Sequence, residues 1–189
     1  MNDPRPLFEQ AADQFADVLT AVTPEHLGRP TPCTEFDVRA LLSHVVGGTR
    51  LYAHLGEGGG YEGALPEVEG VADTEWSAAY EDARRRFTKA WLDDAGLART
   101  VALPWATMSG AETVGSYVLE TVTHTWDLSQ ALGHPVALDQ SLAATILPIA
   151  RAALPADLRG GAVPFAAVRE APAGADAYEQ LAAWLGRAV

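Results

Sequence analysis

Residues 114–132 read VGSYVLETVTHTWDLSQAL, and this stretch decides how the remainder of the chain is read. At about 100° of rotation per residue, Val114, Val118, Thr121, Thr125, Leu128 and Leu132 share one stripe, the pattern of a helix facing a core. Glu120, His124 and Asp127 fall together on the neighbouring strip, at i, i+4 and i+7. A carboxylate and an imidazole four residues apart stand one above the other and reach a common point. That is ligand geometry for a metal ion, with a partner to be supplied by another helix. Read on spacing alone, the pair is more readily an ordinary helix-surface contact worth a few tenths of a kcal/mol. Its place beside the apolar stripe favours the metal, because a buried carboxylate without a partner is costly.

Working outward, the sequence predicts helices over Leu7–Val22, Glu35–Leu55, Thr74–Asp94, Ala111–Leu132, Asp139 onward and Asp176–Arg187. Thr34 is expected as the N-cap of the second, with Asp37 completing a capping-box-like pair and Cys33 with Val38 forming a hydrophobic staple. Gly133, with Pro135 beyond it, ends the opening helix, and Pro148 is expected to kink the fifth. Residues 99–109, RTVALPWATMS, change period and suggest a short strand pair or extended loop. Residues 56–70 form a glycine-rich acidic connection, and Val163–Val168 a short extended piece. Arg84, Arg85 and Arg86 read mostly as a solvated face. The expected fold is mainly all-α: a four-helix bundle over residues 1–155, with residues 156–189 packed on it as a C-terminal extension of one domain.

Such bundles build metal sites from inward-facing side chains on neighbouring helices. His44 lies on the edge of the second helix's apolar stripe, and Gly48, one turn on, leaves room beside it. The candidate ligands are therefore His44, Glu120 and His124, with Asp127 accepting the other N–H of His124 as ligating imidazoles usually require. Gly48, Tyr117 and Trp126 are candidate pocket residues; Trp105, Trp126 and Tyr117 otherwise read as core. His26, His54 and His134 read as solvated.

The 189 residues carry a net charge of −12, which argues against nucleic acid and against anionic membrane surfaces as partners. A single cysteine, Cys33, excludes an internal disulfide, and the N-terminal residues lack the basic start and apolar run of a secretory signal, so a reduced, cytoplasmic location is expected. No P-loop or Gly-x-Ser-x-Gly is present.

The segments RPTPCTEFDVRALLSHVVGG, TVALPWATMSG, LETVTHTWDLSQALGHPVALD and LAAWLGR occur in that order. In these the chain resembles a family of actinobacterial metal-binding proteins related to the N-terminal domain of mycothiol-dependent maleylpyruvate isomerase, within the DinB-like superfamily. The resemblance implies a four-helix bundle holding a divalent metal, usually zinc, with nickel, iron or manganese as alternatives. Position by position it implies His44, Glu120 and His124 as ligands. It also implies a thiol cosubstrate, mycothiol, and a thiol-dependent transferase or isomerase acting on a small molecule. The isomerase branch carries a sizeable further C-terminal domain, whereas only 34 residues (156–189) follow Pro155 here, so a substrate other than maleylpyruvate is expected. Metal-dependent hydrolysis and a non-catalytic metal-binding or stress-related module are the rival functions, and a homodimer is left open.

Overall fold

The computed structural model describes residues 3–61, 68–159 and 165–189. Four long helices form the bundle: α1 (Arg5–Leu19), α2 (Val38–Gly56), α3 (Trp76–Ala90) and α5 (Gly110–Leu132). Each packs on two neighbours, α1 and α2 both lying against α3 and α5. A short helix α4 (Asp94–Ala98) and an antiparallel hairpin, β1 (Thr100–Leu103) with β2 (Ala106–Ser109), connect α3 to α5. Helices α6 (Gln140–Ala153) and α7 (Ala177–Trp184) pack on one another and on α5. The fold is therefore all-α with a small β element, as the periodicity predicts.

Helix α5 begins at a capping box: Ser109 Oγ accepts from Glu112 N, and Glu112 Oε2 accepts from Ser109 N. It ends at Gly133, whose φ of 79° is the left-handed conformation that closes helices. Because α1, α2, α6 and α7 all lie against it, most of its apolar stripe and the His124–Asp127 part of its polar strip are buried, while Glu120 stays partly exposed. Thr121 and Thr125 survive inside by donating their hydroxyls to the carbonyls of Tyr117 and Thr121, one turn back.

Helix α2 starts three residues later than the Thr34 cap predicts. Asp37 is the N-cap, accepting from Ala40 N at 2.8 Å. The backbone N–H groups of Val38 and Arg39 donate to the carbonyls of Arg29 and Leu27, so the loop before the helix is pinned by its own pairing. Thr31 Oγ1 adds contacts to the Cys33 and Phe36 carbonyls. With the cap at Asp37, the residue before it is Phe36 and not Cys33; Cys33 is buried in this loop, and burial pushes its thiol pKa up.

Helix α3 stops at Ala90 rather than Asp94, since Trp91 turns in to donate its indole N–H to Tyr52 O and Asp93 caps a separate helix, α4. Arg84 is not solvated: it reaches α1, pairing with Glu9 at 2.7 Å and Asp13 at 2.6 Å. Trp105 is the opposite case, 60% exposed at the hairpin turn with its ring against Tyr61. Helix α6 runs on through Pro148. Residues 62–67 of the glycine-rich connection and Val163–Pro164 of the expected extended piece lie outside the described residues; residues 165–168 adopt no regular structure.

An aromatic cluster fills the bundle: Phe8 stacks on Phe87 at 3.8 Å, and Tyr117 lies against Phe87 and Tyr52. Phe87→Ala removes the ring that three helices share, so a loss of roughly 3–5 kcal/mol is expected. In urea unfolding this reads as a lower midpoint with an unchanged m-value; an unmoved midpoint would contradict this packing.

Candidate metal centre

His44 comes from the first turns of α2, and Glu120, His124 and Asp127 from the middle of α5, where the two helices pack together. Glu120 Oε2 lies 3.4 Å from His124 Nε2 and 3.8 Å from His44 Nε2. One ligand atom from each of the three groups lies within 4.8 Å of the other two. In a tetrahedral zinc site with bonds near 2.0–2.1 Å, ligand atoms stand about 3.3 Å apart, so the constellation is slightly open relative to that ideal. Two imidazole nitrogens and one carboxylate oxygen are a donor set suited to zinc, iron or nickel. The three residues fit a divalent cation.

The setting is asymmetric. His124 is 4% exposed, while the side chains of His44 and Glu120 are 27% and 35% exposed, so the centre opens to solvent on that side only. Phe36, delivered by the pinned loop, stacks on the His44 ring with centroids 5.0 Å apart. Ser43, next to His44, exchanges hydrogen bonds with the backbone of Val68, which ties the returning connection to α2. Beyond Phe36 lies a cavity of ≈600 Å³ lined also by Arg39, Ser43, Val68 and Trp76, but by none of the three candidate ligands.

Asp127 is fully buried. Its Oδ2 is 3.0 Å from His124 Nδ1, and a carboxylate there makes that nitrogen the donor, leaving Nε2 to face Glu120 and His44. From the other side Arg187 closes a fork, Nε to Oδ1 at 3.2 Å and Nη2 to Oδ2 at 3.0 Å. Burial favours the neutral form of Asp127, but His124 and then Arg187 outweigh it and hold the carboxyl below its ordinary range. Glu120 is likewise pushed up by burial and held well down by His124 and His44. Burial lowers His124, yet the flanking Asp127 and Glu120 carboxylates raise it to about 9. Without a metal, a proton on His124 takes the place of a cation between two acids.

The remaining candidates are elsewhere. Tyr117 is 4% exposed in the aromatic core, donating its hydroxyl to Val45 O. Gly48 does not leave open space: a Cβ there would stand 3.2 Å from the Tyr117 ring, so the glycine admits the tyrosine. Trp126 faces a separate groove with Gln130, His134 and Tyr178. His26 accepts from Thr23 N, and His54 lies against Gly59. Phe36 and Arg187 escape a reading of spacing. A signal for Arg187 exists nonetheless, since a carboxylate buried beside His124 demands a counter-charge.

For the metal-free protein the sign is set by His124. Its folded pKa, near 9, lies above the unfolded value of 6.5, so its stabilisation is full below pH 6.5 and is lost as pH rises towards 9. Asp127 and Glu120, held low, contribute evenly across that window. Urea midpoints should therefore fall by the equivalent of a few kcal/mol between pH 6.5 and 9 in metal-free protein, and His124→Gln should flatten the profile. Parallel profiles would refute the assignment.

Comparison with known proteins places these features in context. Residues 8–129 match the family model described as the mycothiol maleylpyruvate isomerase N-terminal domain. Two uncharacterised proteins of Mycobacterium tuberculosis, from strains CDC 1551 / Oshkosh and ATCC 25618 / H37Rv, are each 34% identical over 187 residues, 99% of either chain. A crystal structure of a mutant of mycothiol-dependent maleylpyruvate isomerase superposes with a TM-score of 0.55 at 15% identity, over 76% of this chain and 66% of that one, and so shares the fold.

Proposed function

Since the chain belongs to the mycothiol maleylpyruvate isomerase N-terminal domain family, we propose that it is a divalent-metal protein acting with a low-molecular-weight thiol of the mycothiol type. The proposed reaction class is thiol transfer to, or thiol-assisted isomerisation of, a small molecule. The observation that carries the proposal is the convergence of His44, Glu120 and His124 from two helices to within 4.8 Å. Zinc suits this donor set best, with nickel, iron or manganese as competitors. A bound cation of this kind supplies positive charge that lowers the pKa of a thiol or water brought to it.

The protein's side chains divide the work. Glu120 gives the one anionic ligand and keeps the centre's charge from rising further. His124, oriented by Asp127, presents Nε2 from the buried side, and His44 closes the set from α2. Phe36 covers the His44 ring and excludes water from that face. The exposed edge of His44 and Glu120 is the side on which a thiol and its acceptor approach. Residues 1–155 would carry the metal centre, with 156–189 as an extension bracing it.

Two features agree with a reduced, non-membrane setting: the lone cysteine, and the lack among the described residues of any helix long and apolar enough to cross a membrane.

Metal content decides the reading. Protein purified without chelator should carry close to one equivalent of divalent metal by elemental analysis, and His44→Ala and Glu120→Ala should each lose most of it. Mycothiol should then shift the visible spectrum of the cobalt-substituted protein. Equal metal in all three proteins would defeat the assignment, and an unchanged cobalt spectrum would remove the thiol.

A further inference from the structure

We propose that Arg187 is a positioning residue for the metal centre: it braces Asp127 so that His124 keeps Nε2 turned to Glu120 and His44. Docking of the chain's last helix thereby becomes a condition for a competent site. The inference rests on the metal reading above and extends it to residues some sixty positions away in sequence.

Asp127 alone does not fix His124. A carboxylate with one partner is free to rotate about its terminal bond, and this one is buried where no water reaches its second oxygen. Arg187 removes that freedom because its two N–H groups address the two oxygens separately. A guanidinium fork sets the plane of a carboxylate in a way a lysine's single point charge does not. With the plane set, the shared Oδ2 holds the Nδ1–H of His124 at 3.0 Å.

The aim of Arg187 is itself built in. Helix α7 ends at Trp184, and Gly186, at φ 86°, turns the chain back so that Arg187 N donates to Ala182 O at 2.9 Å. A Cβ on Gly186 would come within 2.7 Å of Ala166 Cβ and 3.0 Å of the Ala166 carbonyl oxygen. On the outer side Arg169 Nε donates to Gly186 O and Arg169 N to Ala183 O. The turn is therefore held from both directions, and the Arg187 side chain leaves it at only 12% exposure.

The test compares the parent with Arg187→Met, Arg187→Lys and Arg84→Ala. Methionine keeps the apolar stem so that the variant folds. Arg84→Ala removes the ion pairs with Glu9 and Asp13 that join α3 to α1, and touches neither the fork nor the Gly186 turn. Co²⁺ titration should show Arg187→Met binding roughly 10–100-fold more weakly than the parent, Arg187→Lys in between, and Arg84→Ala with parent affinity despite a lower Tm. In the metal-free protein, the exchange-protected Nδ1 proton of His124 should be lost from the NMR spectrum in Arg187→Met and kept in Arg84→Ala. Parent affinity and a retained proton in Arg187→Met would overturn the proposal. So would losses of affinity that follow Tm equally in both arginine variants, which would mark a purely structural tail. A parent that takes up no Co²⁺ while the proton behaves as expected would overturn the metal reading and leave the bracing of His124 standing.

Discussion

A carboxylate enclosed on every side has to be met at both of its oxygens, and Asp127 is such a group. One oxygen is shared by the imidazole of His124 and the guanidinium of Arg187, and the other goes to Arg187 alone. That arrangement joins the last third of α5 to Arg187, just beyond α7. It gives a second purpose to a short helix that already buries Tyr178 and Leu181, and that is fastened at its last turn by backbone and side-chain contacts from Arg169. It also fixes which nitrogen of His124 is offered to the opening between α2 and α5.

Around that link the bundle is arranged with opposite ends of one strip in different surroundings. Asp127 and His124 are sealed beneath α7 and the pinned loop, while Glu120 and His44 meet solvent. The electrostatics follow: two carboxylates raise the imidazole between them, and that imidazole, with the arginine behind it, keeps the deeper carboxylate charged. A centre built this way has an enclosed half that sets geometry and a half that opens to solvent.

Much of this is legible in the residues themselves. The 3.6-residue rhythm of Val114–Leu132 predicts α5, and the i, i+4, i+7 spacing brings Glu120, His124 and Asp127 to one strip before any tertiary contact is considered. Caps are less legible, because Thr34 and Asp37 are both good capping residues and the choice is made by backbone pairing to Arg29 and Leu27, which is nonlocal. For the same reason Arg84 reads as solvated although it is claimed by Glu9 and Asp13 of α1. Phe36 and Arg187 carry no spacing that links them to the centre; they reach it through a loop and a terminal turn. Side chains set by one helix can be read from the sequence, and those delivered by irregular backbone cannot.

The contact between Gly48 and Tyr117 has a consequence of another kind. It lies one turn along α2 from His44 and one turn along α5 from Glu120, so the bulk at that point sets how far apart the two helices stand just beneath the ligands. The hydrophobic interior thus acts as a gauge block for the opening above it. A methyl at position 48 would stand 3.2 Å from the Tyr117 ring, which would have to give by a few tenths of an ångström. On the metal reading proposed above, that is the scale separating the bond lengths preferred by different divalent cations, and packing in the core would bear on which cation fits.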